Sequence, residues 1–166
     1  VLKAAGYATA VIGKWHLGLG AGAPDWNGLL NPGPLELGFD YCFLLPNTND
    51  RVPPVYVENH EVLNLDTNDP IIVSSSEIPN SNPYSSVDTN TLTYASSRDH
   101  DDTVWNGVGR IGYMSGGMTA RFRDEDMGDD FLARALPWIE NAASNSAPFF
   151  LFFSSQDNHV PRLPHE

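Results

Sequence analysis

Apolar residues are spaced along this chain in three distinct ways, and each spacing predicts a different element. Val1-Leu2-Lys3-Ala4-Ala5 reads as the end of a helix, and after Gly6-Tyr7 the run Ala8 to Lys14 is made of small and β-branched residues, which predicts a buried strand. Glycines and prolines between Gly18 and Pro34 interrupt regular structure, and Leu37-Gly38-Phe39-Asp40-Tyr41-Cys42-Phe43 predicts a second strand. Val52 to Leu65 predicts two short strands around Glu58-Asn59-His60-Glu61, where Asn59 suits the left-handed conformation of a tight turn. From Asp66 to about Asp102 the chain is rich in Ser, Asn, Asp, Thr and Pro without periodicity, so a long irregular insertion is expected there.

Further on the spacing becomes helical. Met127, Phe131, Leu132, Ala135, Leu136, Trp138, Ile139 and Ala142 recur on one side of a helix ending near Ala143, with Asp124 as its expected cap and Pro137 as an expected kink. The helix leads into Phe149 to Ser155, an almost wholly apolar strand. A helix followed by such a strand predicts an α/β sheet covered on both faces. No internal repeat is evident.

Composition narrows the function classes. With 41% hydrophobic residues in 166, the chain can bury one core. A formal charge of −12, from 21 acidic and 9 basic side chains, excludes non-specific attraction to nucleic acid or anionic membrane, although a few focused cations can still hold an anionic substrate. Cys42 is the only cysteine, so no disulfide forms within the chain. The longest apolar run, Pro148 to Phe153, is too short for a membrane span. The opening at Val1 and the ending inside a loop lead us to expect an internal piece of a longer protein.

Candidate chemistry lies at two strand ends. On strand alternation, Lys14 and His16 project to one side and Trp15 to the other. His159 follows the strand Phe149–Ser155, and open α/β sheets bind ligands beyond the carboxyl ends of their strands. A lysine and two histidines suit a tetrahedral oxyanion, because lysine supplies charge and histidine both donates hydrogen bonds and passes protons near neutral pH. The same residues also read as a solvated strand-end lysine and ordinary loop histidines. Asp99-His100-Asp101-Asp102 reads as solvated loop charge and Asp124-Glu125-Asp126 as the negative first turn of a helix, so neither is taken as a metal site.

The segment Gly6-Tyr7-Ala8-Thr9-Ala10-Val11-Ile12-Gly13-Lys14-Trp15-His16-Leu17-Gly18 resembles the second signature of the type I, formylglycine-dependent sulfatases. Pro148 to Phe153 followed by Asn158-His159-Val160-Pro161 is similar to the family's apolar strand before a catalytic histidine. Pro34 to Asp40, Asp50-Arg51-Val52-Pro53 and Asn106 to Met114 resemble stretches of bacterial polysaccharide sulfatases, so the resemblance spans nearly the whole chain.

That resemblance implies an alkaline-phosphatase-like α/β sandwich with a mixed, mostly parallel sheet flanked by helices. Residues 1–166 would be an internal part of its N-terminal catalytic domain, with 66–102 as a substrate-facing loop. It implies hydrolysis of sulfate monoesters, of sulfated carbohydrate by preference and of aryl sulfate as a surrogate. Lys14 resembles the lysine that contacts sulfate and nucleophile, His16 the histidine that hydrogen-bonds the formylglycine hydrate and assists release of sulfate, and His159 the leaving-group acid. Asp50, Arg51 and His100 are candidate sugar contacts, since arginine binds anions and carboxylates accept hydroxyl hydrogen bonds; Asp50 and Arg51 read equally as a surface ion pair. The family's formylglycine and calcium ion are expected in the full-length enzyme, with nucleophile and ligands outside this stretch. Cys42 lacks the nucleophile's Cys/Ser-x-Pro/Ala-x-Arg context, and Ser81 to Ser85 lacks the arginine. The isolated stretch is therefore expected to be inactive. Periplasmic or secreted localisation follows from the resemblance alone. A phosphomonoesterase or phosphodiesterase of the same superfamily and a non-catalytic anion-binding relative are the rival readings.

Overall fold

The computed structural model describes residues 1–78, 92, 93, 95, 96, 100–156 and 159–161. Ser81 to Ser85, Asp99 and Asn158, and most of residues 79–99 within the insertion expected over 66–102, lie outside the described residues.

The principal sheet has five strands. β1 (Ala8–Lys14) lies at its heart, flanked in parallel by β2 (Tyr41–Leu45) and by β9 (Phe149–Ser154); β3 (Val57–Glu58) and β4 (Glu61–Val62) extend it antiparallel beyond β2. Alternation along β1 and β2 divides the core in two. Val11, Cys42 and Leu44 face one side, where Trp26, Leu30 and Val55 cover them. Ile12, Phe43 and Leu45 face the other, against Tyr56, Phe122 and Phe131. Both faces of these two strands are thus apolar, as parallel strands covered on both sides require.

The helix α1 (Met127–Ser144) covers the second face, burying Met127, Phe131, Ala135 and Ala142 and running unbroken past Pro137. Leu132 and Leu136, expected on that buried side, are exposed, because contact with the sheet occupies a narrower stripe than the apolar pattern offers. Asp124 is not the helix cap. It opens a 3-10 turn, Asp124–Asp126, whose last residue precedes the helix, while its own side chain is buried in an ion pair with Arg110.

Three strand expectations also change. The second strand begins at Tyr41 instead of Leu37: Leu37 and Phe39 donate backbone hydrogen bonds to Pro34 in a turn, Gly38 has φ 108°, and the Asp40 carboxylate accepts from Thr9. Ile72–Ser74 forms β5 inside the region expected to be irregular, pairing with β8 (Tyr113–Ser115). Finally, β9 is bordered only by β1 among the described strands. Phe149 and Phe153 approach Trp138 and Phe131 of α1, yet they stay 39% and 43% exposed, much as Phe150 and Phe152 on the opposite face do at 39% and 44%. The apolar strand is therefore only partly covered among the described residues, with Leu151 alone of its apolar side chains partly buried and packed against the core.

Between β5 and β8, β6 (Thr103–Trp105) and β7 (Val108–Arg110) form a hairpin around Asn106-Gly107, both with positive φ. Asn-Gly between β-prone residues is a strong hairpin signal that the sequence reading passed over. The Asn59 turn does form: its φ is 56° and its Oδ1 accepts the Cys42 N–H.

Candidate active site

Parallel pairing decides which loops meet. β1 aligns with β9 from Ala8↔Phe149 to Gly13↔Ser154, and with β2 from Ala10↔Tyr41 to Lys14↔Leu45. The chains leaving all three strands therefore emerge at one edge, where α/β sheets present ligand-binding loops. Close approach of β1 to β9 there depends on Gly13, whose φ is 109° and which faces the Ser154 carbonyl with no room for a Cβ.

Lys14 ends β1, and Trp15 and His16 continue its pairing by donating N–H groups to Leu45 O and Pro46 O, each at 2.9 Å. His16 has φ 59°, so strand alternation stops before it; the expectation that Lys14 and His16 share a face by alternation does not hold, and the left-handed turn sets the direction of His16 instead. Trp15 is buried and donates from Nε1 to Gly18 O, which holds the turn.

A groove of about 420 Å³ opens beside this turn, lined among others by His16, Asn47, Arg51 and Asp102. Lys14 and His159 stand at the same edge but not in its lining. Asp102 accepts the Gly112 N–H and so fixes the groove wall. His159 sits beyond β9 with its N–H on Gln156 O at 2.9 Å and Nδ1 2.5 Å from Val160 O, a carbonyl that can only accept, so that Nδ1 is the donor.

The other candidates separate. Arg51 is exposed on the groove, while Asp50 is only 2% exposed, with its carboxylate taken up by Thr48 Oγ1 and by His100 Nδ1 at 3.1 Å. Asp50 and Arg51 thus form no surface ion pair, and the Asp50 carboxylate is turned away from solvent. His100 and Pro161 line a smaller crevice of about 30 Å³.

Sequence reading missed the polar residues behind this edge. Arg110, 0% exposed, places Nη2 2.5 Å from Asp124 Oδ2; Asn49 donates from Nδ2 to Asp124 Oδ1 at 3.4 Å and to Pro161 O at 3.1 Å; Gln156 Nε2 donates to Asn49 Oδ1 at 3.2 Å. Burial pushes the Arg110 guanidinium down and the Asp124 carboxyl up, each opposed by the charge of its partner. No local pattern marks these residues, which are brought together across as many as 112 positions.

No group of three or more His, Cys, Asp or Glu side chains among the described residues stands close enough to hold a metal ion. Cys42 lies within β2, 0% exposed, and burial pushes its thiol up to about 12. The described residues therefore fit neither a metal site nor a converted nucleophile.

Fold and edge together define an α/β domain of the alkaline-phosphatase-like kind with a cationic and imidazole-bearing binding edge. The sulfatase family profile matches residues 1–166, and the chain belongs to that family. It is 45% identical over 166 residues, 99% of this chain and 32% of the relative, to N-acetylgalactosamine-6-O-sulfatase of Bacteroides thetaiotaomicron VPI-5482. It is 52% identical over 52 residues to the steryl-sulfatase of Mus musculus, covering 31% of this chain and 8% of that one. A solved structure from a study of the metabolism of multiple glycosaminoglycans by Bacteroides thetaiotaomicron superposes with a TM-score of 0.91 at 45% identity, covering 99% of this chain and 34% of that one. The chain thus spans about a third of the length of the Bacteroides relative. Formylglycine and a metal ion are usual in that family, and membership implies them for the full-length protein.

Proposed function

We propose that this chain supplies part of the catalytic edge of an enzyme that hydrolyses sulfate monoesters of carbohydrates, with calcium and formylglycine held by other parts of the full-length protein. The observation that carries the reading is the parallel register of β1 with β9, which aligns Gly13 with Ser154 and sends the Lys14–His16 and His159 loops from the same edge. Lys14 binds a sulfate oxygen as a point charge, and His16 donates a hydrogen bond beside it. His159 protonates the bridging oxygen as the sulfur–oxygen bond breaks, because a sugar alkoxide is a poor leaving group.

On the groove Arg51 suits an anionic group and Asp102 a sugar hydroxyl, which favours a polar substrate over an apolar ester, and the 45% identity to a carbohydrate sulfatase supports the same substrate class. Asp50 and His100 enter as a pair, with Asp50 orienting the His100 ring toward the crevice and a sugar hydroxyl beyond it. A periplasmic or secreted enzyme fits a polymeric substrate.

The test is His159→Ala in the full-length enzyme, assayed with a sugar sulfate and with nitrophenyl sulfate while sulfur–oxygen cleavage limits turnover. Loss of a general acid slows the sugar sulfate by about a hundredfold to ten-thousandfold and the activated aryl ester much less. Equal losses on both substrates would leave His159 as an anion-binding residue and refute the proton-donor role.

A further inference from the structure

Five residues beyond β9, the loop that carries His159 is fastened to the protein on both sides of the histidine by a single side chain. Asn49 receives the Gln156 Nε2–H at 3.2 Å on its Oδ1 and donates from Nδ2 to Pro161 O at 3.1 Å. His159 lies between these two points and donates its own N–H to Gln156 O. Asn49 is 5% exposed and so is Gln156. The same Nδ2 reaches Asp124 Oδ1 at 3.4 Å, and Asp124 is paired with the fully buried Arg110. The amide orientation is fixed by its neighbours, since turning it over would set its oxygen against a carbonyl and a carboxylate. The loop is thereby referred to a rigid point on α1's leading turn and on β7, and not only to its own strand.

We infer that Asn49 is a positioning residue for His159, acting through Gln156 and Pro161 and anchored by the Arg110–Asp124 ion pair. The inference rests on the proton-donor reading of His159. Several features make the tether consequential. Gln156 Oε1, Arg110 Nε and Arg110 Nη1 are buried without partners, so the network is already incompletely satisfied and the loss of a member strands a further buried polar group. The described residues of this loop, 156 and 159–161, lie in no strand or helix. A proton donor must lie within hydrogen-bond reach of the bridging oxygen, so freedom in this loop is felt in the chemical step more than in binding.

The experiment compares Asn49→Ala and Gln156→Ala with the parent full-length enzyme, the second variant removing one of the two fastenings while leaving the Asn49–Pro161 bond and the ion pair. Amide hydrogen exchange over the 156–161 segment, read by mass spectrometry, should quicken in both. In Asn49→Ala, kcat for a sugar sulfate should fall about tenfold to a hundredfold further than kcat for nitrophenyl sulfate, the range expected when a reacting group is displaced by an ångström or less. KM for either substrate should change by about threefold or less, and Asn49→Ala should add about twofold or less to the loss already caused by His159→Ala, because both act on one step. Unchanged exchange over 156–161 would overturn the tether. Equal losses on the two substrates, or full additivity with His159→Ala, would overturn the positioning role and assign Asn49 to stability alone. If His159→Ala itself shows no leaving-group dependence, the proton-donor reading fails and this inference falls with it; if only Asn49→Ala lacks that dependence, the inference fails alone.

Discussion

Asp124→Asn isolates the charge of the most deeply buried ionic contact in the described residues. The two side chains are 0% and 1% exposed, and Nη2 of Arg110 stands 2.5 Å from Oδ2 of Asp124. Asparagine keeps nearly the same shape but removes the counter-charge, leaving a guanidinium in the interior with Nε and Nη1 already unpartnered and with Phe122 beneath it at 5.4 Å. Removing one member of a buried pair destabilises by about 3–5 kcal/mol, because the remaining charge is stranded. The midpoint of urea unfolding should fall accordingly, by that loss divided by the m-value of the transition. The partner experiment replaces both side chains, Arg110→Met with Asp124→Leu. Apolar replacement of a whole buried pair is often neutral or stabilising, so the double variant should recover most of the loss. Urea unfolding and calorimetry of the full-length protein measure both. A fall of less than about 1 kcal/mol for Asp124→Asn would refute the reasoning, since it would mean that water or another group compensates Arg110.

Gly13→Ala should destabilise by about 2–5 kcal/mol, through a left-handed backbone and an overlap with the Ser154 carbonyl, and should be poorly recovered in the soluble fraction. Asn59→Ala should lose about 1–2 kcal/mol in urea titration, with Asn59→Gly less affected because glycine tolerates the φ of 56°. Cys42, raised to about 12 by burial, should remain unmodified by iodoacetamide at pH 8 in the folded protein and react after denaturation; peptide mapping that finds it alkylated in the native state would contradict its placement inside β2.

Much of the fold is legible where a single element owns its own pattern. Ala8–Lys14 is read to the residue, since an unbroken run of small and β-branched residues has no other way to be buried. The Asn59 turn and the body of α1 follow equally from local conformational preference and from 3.6-residue spacing. The Asn106-Gly107 hairpin is equally local, although its flanking strands are only three residues each. Lys14, His16 and His159 lie at or just beyond strand ends, which can be counted from sequence, but it is the resemblance of their motifs to the sulfatases that singles them out.

Neighbourhood is a different kind of information. The residues of β9 state that it is apolar, but only the sheet order makes it a strand bordered by β1 alone among the described strands, with phenylalanines exposed on both faces. The residues of 124–126 state that a helix is beginning, but only packing buries Asp124 against Arg110 and leaves Asp126 to precede the helix. Asp50 reads as a surface carboxylate until His100, fifty residues away, is folded over it. Asn49 carries no local signal at all, because its partners lie 75, 107 and 112 positions along the chain. Local free energies of turn, strand and helix act between adjacent residues and leave their mark in sequence. Burial of a polar side chain is set by which distant segments pack over it, and that was decided only when β1 took β2 on one side and β9 on the other.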